Sequence, residues 1–91
     1  MEQTAKHILF SGQVQGVGFR YTAHRIARRY NVTGFVRNLP DGDVEMLAQG
    51  PEQDIDNCLA DIRDYFGGYL RDTRIEPAPR NDRYTDFRIT F

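Results

Sequence analysis

The stretch Ser11-Gly12-Gln13-Val14-Gln15-Gly16-Val17-Gly18-Phe19-Arg20 joins a short apolar run, Ile8-Leu9-Phe10, to residues with helical spacing. This juncture limits the fold more than any other part of the chain, because a strand must end, a loop must turn and a helix must begin within it. Glycine takes positive φ at no steric cost and lacks the Cβ that holds a ligand off the backbone, so such a loop can aim several N–H groups at one anion. The helix that follows adds the partial positive charge of its N-terminus. Arg20, in the first turn, carries a planar fork of donors matched to two phosphate oxygens. Strand, glycine loop and helix start in this order predict a grip on a phosphoryl group, although the same order also serves as a plain turn.

With 91 residues the chain makes one domain, 1–91, which buries about 60–65% of its unfolded surface without disulfides or metals. Twelve basic and 13 acidic side chains nearly cancel, so the bulk field favours neither nucleic acid nor an anionic membrane. A lone cysteine, Cys58, excludes an internal disulfide, and the N-terminal Met1-Glu2-Gln3-Thr4-Ala5-Lys6-His7 lacks the apolar stretch of a secretion signal. Both point to the cytoplasm. Apolar runs of a few residues fall far short of the ~20 that span a bilayer.

Residues 6–13 read as a strand with Ile8 and Phe10 on one face and Leu9 on the other. From Phe19, the positions Ala23, Ile26, Ala27 and Tyr30 recur at helical spacing and end before Asn31. A hairpin follows: strand 32–38, the turn Leu39-Pro40-Asp41-Gly42, and a strand in which Val44, Met46 and Ala48 alternate with Glu45, Leu47 and Gln49. Gly50-Pro51 opens a second helix whose stripe is Ile55, Leu59, Ile62 and Phe66, and Gly67-Gly68 stops it. Residues 70–76 read as an extra short polar strand at an edge, 77–82 as a loop, and Phe87, Ile89 and Phe91 as a final strand. The order predicts an α+β, ferredoxin-like βαββαβ sandwich with two helices on one face of an antiparallel sheet. In that arrangement the first two strands run parallel with a third between them, so Asn38, ending the second, comes to the mouth of the glycine loop. Arg37 points to the other side of its strand.

Gly12-x-Val14-Gln15-Gly16-Val17-x-Phe19-Arg20, then Gly34-Phe35-Val36-Arg37-Asn38 and Asp41-Gly42-x-Val44-Glu45, closely resemble the acylphosphatase family. The likeness is close over residues 6–50 and rests further on upon element spacing and Asp86-Phe87-Arg88-Ile89. Phe35 stands where the family often carries Trp, and Tyr65-Phe66-Gly67-Gly68-Tyr69 has no clear counterpart. The resemblance implies the same fold and an acylphosphatase acting on small acyl phosphates, with no metal, no cofactor and no phosphoenzyme. It implies that Arg20 binds the phosphoryl group and that Asn38 orients the attacking water; the glycine loop itself adds the backbone amides of Gln15, Gly16, Val17, Gly18 and Phe19 as further phosphoryl donors.

The residue chemistry fits that expectation. A carboxylate leaves from phosphorus without a strong general acid, and phosphoryl transfer asks chiefly for positioning and charge stabilisation. The Asn38 side chain offers both an acceptor and a donor, enough to hold a water without acting as a base. His24, one helical turn after Arg20, reads as an ordinary half-exposed helix residue, Ser11 and Gln15 as residues that shape the loop, and Cys58 as a half-buried thiol beside the helix stripe. No His, Cys, Asp and Glu spacing suggests a metal site. Two rivals remain. An RNA-binding module shares the element order but stacks bases on aromatics of its first and third strands, and Val44-Glu45-Met46-Leu47-Ala48 has none. A module that binds phosphate or carbamoyl phosphate without turnover is the other. The expected partner is the small-molecule substrate alone, with no nucleic acid or membrane, and the expected state a monomer.

Overall fold

A computed structural model describes residues 3–91; the first two residues of the expected 1–91 domain lie outside the described residues. Along the chain run β1 (Gln3–Gly12), α1 (Phe19–Ala27), β2 (Thr33–Asn38), β3 (Val44–Pro51), α2 (Glu52–Phe66), a 3-10 turn (Gly67–Tyr69), β4 (Leu70–Pro77) and β5 (Phe87–Ile89). Alternation sorts the strands as expected. Ile8 and Phe10 of β1 and Val44, Met46 and Ala48 of β3 are fully buried under the helices, whereas Leu9 and Glu45 lie on the opposite face and keep partial exposure. The helices meet them with Phe19, Ala23, Ile26 and Ala27 from α1 and Ile55, Cys58, Leu59, Ile62 and Phe66 from α2, forming one apolar core. Pro51 ends β3 and caps α2 instead of lying in its first turn.

The sheet order is β4-β1-β3-β2-β5. Antiparallel pairing of β3 with both β1 and β2 sets Phe10 and Asn38 on either side of the same residue, Val44. Two strand spacings, about 10 Å, therefore separate Asn38 from the end of β1, where the glycine loop departs.

The strand expected at 70–76 is β4, an eight-residue edge strand that pairs with β1 and completes the antiparallel core β4-β1-β3-β2. The strand added to that core is β5. It pairs parallel with β2, Gly34 opposite Phe87, so the sheet is mixed. Residues 78–86 must cross from one edge to the other, and their contacts trace the path: the Ala78 amide donates to the Ala5 carbonyl, Asn81 bonds the Gln49 side chain at both ends, the Tyr84 ring packs on Phe35, and the Gly34 amide donates to the Asp86 carbonyl. Alternation in a sequence marks a strand but not its direction, which this crossing decides.

Cys58 is a correction to the half-buried thiol expected beside the stripe. It has 0% exposure, because positions 55, 58, 59 and 62 form one helical face, and burial pushes its thiol up to about 12, with the Asp61 carboxylate adding to the effect. Native protein is expected to leave a chromogenic disulfide reagent unreacted at pH 8 over an hour, and to release one equivalent in denaturant. Rapid reaction of the native chain would contradict this packing.

Candidate active site

The loop between β1 and α1 is held at both ends and open in the middle. At its start the Gln13 amide donates to the Tyr69 carbonyl (2.8 Å), and the Val14 side chain sinks into the core. At its close Phe19 is clamped between rings, 4.9 Å from Phe10 and 4.3 Å from Phe66. Between these anchors Gly16, Val17 and Gly18 are exposed, and Gly16 and Gly18 both stand at φ 77°. Gly18 precedes α1 in this left-handed conformation, which reverses the backbone into the helix, and no side chain caps the helix start. Among the described residues, none of the amides of 15–19 donates to a protein acceptor.

Gln15 bridges two segments far apart in sequence. Its Nε2 donates to the carbonyls of Leu39 and Asp43, each at 2.8 Å. Those residues flank the β2–β3 turn, itself closed by Leu39 N–H to the Asp43 carbonyl (2.9 Å) and Asp43 N–H to the Asp41 carboxylate (3.0 Å). Two hydrogen bonds thus tie the glycine loop to the turn that follows Asn38. Gln15→Ala is expected to cost about 1–3 kcal/mol, two net hydrogen bonds and the carbonyls left dry. Gln15→Glu offers acceptors where donors are needed and should rescue nothing. Urea unfolding of the three proteins checks both statements.

Gly16, Gly18, Phe19, Arg20 and Asn38, with Val14 and Tyr21, line a single cavity of about 120 Å³. Gln15 and Val17, the other two loop residues singled out in the sequence, do not line it. Gln15 is turned to the hairpin and Val17 is 40% exposed. Arg20 and Asn38 are both half-buried. The Arg20 guanidinium lies over the Phe91 ring, 4.9 Å from its centroid, and pairs with no carboxylate among the described residues. A guanidinium held over a ring face keeps N–H groups available to other acceptors. No protein group bonds the Asn38 carboxamide among the described residues.

Neighbouring candidates separate cleanly. Arg37 is turned to the open face of the sheet, its Nε 2.5 Å from Glu45, which also meets His7 Nε2 at 2.7 Å. Burial pushes the Glu45 carboxyl up, but the hydrogen bonds of His7 and Arg37 outweigh it and hold the group below its ordinary range. His24 lines a different and larger hollow of about 580 Å³ with Arg28, Thr33, Gln49 and Asp86, near the end of α1 remote from the loop. Several polar groups of that hollow are bonded within the protein: Gln49 to Asn81, Asp86 to Arg88, and the Thr33 hydroxyl to the Gln49 carbonyl. Among the described residues no group of three His, Cys, Asp or Glu side chains is placed to hold a metal ion. Sequence reasoning missed Tyr21 and Phe91 as cavity neighbours. The alternation of Phe87, Ile89 and Phe91 was a usable signal, but only the parallel pairing of β5 with β2 carries Phe91 to the edge where Asn38 lies.

A model of the acylphosphatase family matches residues 6–89. The chain belongs to the acylphosphatase family. A curated relative of that name from Pediococcus pentosaceus is 49% identical over 59 residues, which cover 65% of this chain and 66% of that protein, so the alignment spans just under two thirds of the relative's length. In three dimensions this acylphosphatase-family chain is similar to an acylphosphatase from Coxiella burnetii, with TM-score 0.87, 32% identity and coverage of 97% of this chain and 93% of that one. It is likewise similar to an acylphosphatase from Bacillus subtilis, with TM-score 0.88, 28% identity and coverage of 99% and 100%.

Proposed function

We propose that the 120 Å³ cavity binds the phosphoryl group of an acyl phosphate and that the chain hydrolyses its carboxyl–phosphate anhydride bond. The observation that carries this reading is the convergence on one cavity of a stacked arginine without a carboxylate partner, loop amides without protein acceptors, and a carboxamide without a protein partner. Arg20 and the amides of Gly16, Gly18 and Phe19, the singled-out loop residues that line the cavity, bind the equatorial phosphoryl oxygens, whose negative charge they stabilise as the bond loosens. Asn38 holds a water in line with the scissile bond. The water oxygen bonds to phosphorus, the bond from phosphorus to the carboxylate oxygen breaks, and the water's proton passes to a phosphoryl oxygen. The products are the carboxylate and dihydrogen phosphate. No step uses a protein general acid, because the leaving carboxylate is a weak base.

Every group invoked comes from one chain, so the reading takes a monomer as the working unit, and the free thiol of Cys58 suits a reducing cytoplasm. Following benzoyl phosphate by absorbance, with and without EDTA, tests the activity. EDTA-insensitive hydrolysis with inorganic phosphate as a competitive inhibitor is expected. Phosphate binding without any turnover would replace this reading with that of a binding module.

A further inference from the structure

A cavity of about 120 Å³ is well below the roughly 300–1,000 Å³ of pockets that enclose whole ligands. On the hydrolase reading above, it takes the phosphoryl group and leaves the acyl part at the rim. The rim is not neutral. Among the described residues the large apolar side chains left exposed are Val17, Tyr21, Tyr65, Tyr69, Ile75 and Phe91. Half of them gather here: Tyr21 lines the cavity itself, Val17 lies between its lining residues Gly16 and Gly18, and Phe91 stacks on Arg20.

Single exposed apolar residues need no explanation, but their clustering around one small opening does. Tyr21 is 70% exposed and Phe91 93%, although each sits beside a half-buried arginine whose charge would favour water. Neither ring contributes to the core. Rings in this position cover little of the protein and remain free to cover a ligand. Among the described residues the acidic side chains that form ion pairs are Glu45, Glu52, Asp56 and Asp86, and none of them lines this cavity.

We infer that Val17, Tyr21 and Phe91 form an acyl subsite that selects acyl phosphates with an apolar, aromatic acyl group over those with a short one. This rests on the hydrolase reading and adds the substrate class to it. A benzoyl ring laid against the Tyr21 ring gains an aromatic contact that an acetyl group cannot make. With the phosphoryl group held by Arg20 and the loop amides, the largely exposed Tyr21 ring at the cavity's edge is left to the acyl part, so its removal should alter discrimination between substrates far more than phosphate affinity.

The test compares kcat/KM for benzoyl phosphate and acetyl phosphate in wild type, Tyr21→Ala, Tyr21→Phe and, as a control outside the cavity, Tyr65→Ala. Tyr21→Ala should lower the benzoyl-to-acetyl ratio about 5-fold, the worth of one aromatic contact, with the inhibition constant of inorganic phosphate retained. Tyr21→Phe keeps the ring and should keep the ratio, as should Tyr65→Ala. An unchanged ratio in Tyr21→Ala overturns the subsite while the hydrolase reading stands. A Tyr21→Phe ratio as low as that of Tyr21→Ala also overturns it, since the hydroxyl would then be the determinant. If wild type hydrolyses neither compound, both readings fall together.

Discussion

Arg20→Ala is expected to lower kcat/KM for benzoyl phosphate on the order of 10²–10³-fold, the loss typical of removing one preorganised donor to a charge that develops in the transition state. The expectation follows from geometry. The guanidinium lines the phosphoryl cavity, is set against the Phe91 ring at 4.9 Å and has no carboxylate partner among the described residues, so its in-plane donors are available to a ligand. Arg20→Lys keeps the charge but presents a point donor where a fork is needed, and should recover little of the loss. Its own fold contribution is small, since Arg20 stands half-exposed on the first turn of α1. Thermal unfolding should therefore move by no more than a few degrees, which separates lost chemistry from lost structure. A variant at position 20 that keeps near-normal turnover would remove Arg20 from the phosphoryl site.

Asn38→Ala should act on a different parameter. The carboxamide lines the cavity but is assigned to the water, so kcat should fall about 10²-fold, the scale of a misplaced reactant, with KM and phosphate inhibition changed much less. Steady-state kinetics on benzoyl phosphate distinguish the two outcomes. A rise in KM at constant kcat would make Asn38 a phosphate ligand instead, and near-normal turnover would leave the water without this guide. The turn beyond Asn38 is clamped by Gln15 through the Leu39 and Asp43 carbonyls, so the alanine variant should retain the surrounding backbone.

Much of this is legible in the sequence. The period-two pattern of Ile8, Phe10, Val44, Met46 and Ala48 and the helical stripes of Ala23–Ala27 and Ile55–Phe66 predict which faces are buried, because the removal of apolar surface from water is local enough to be written in spacing. The glycine loop predicts its own backbone, since Gly16 and Gly18 take the positive φ that other residues resist. Arg20, in the first turn of α1, follows directly from its position after that loop. Cys58 is the exception: the stripe Ile55, Leu59, Ile62 and Phe66 omits the residue three positions after Ile55, which shares its helical face.

What spacing does not contain is the relation between strands. Phe10 and Asn38 become neighbours across Val44 only because β3 pairs antiparallel with both of their strands. Phe91 reaches Arg20 only because residues 78–86 cross the sheet and deliver β5 parallel to β2. The two bonds of Gln15 to the hairpin span 24 and 28 positions of chain. Local sequence thus determined the elements, the buried faces and the anion-seeking loop, each set by interactions among residues a few positions apart. The element order already carries Asn38 to the mouth of that loop, but the tertiary structure alone decided the parallel edge formed by β5 and with it the apolar rim, because backbone hydrogen bonds between strands are indifferent to the side chains they bring together.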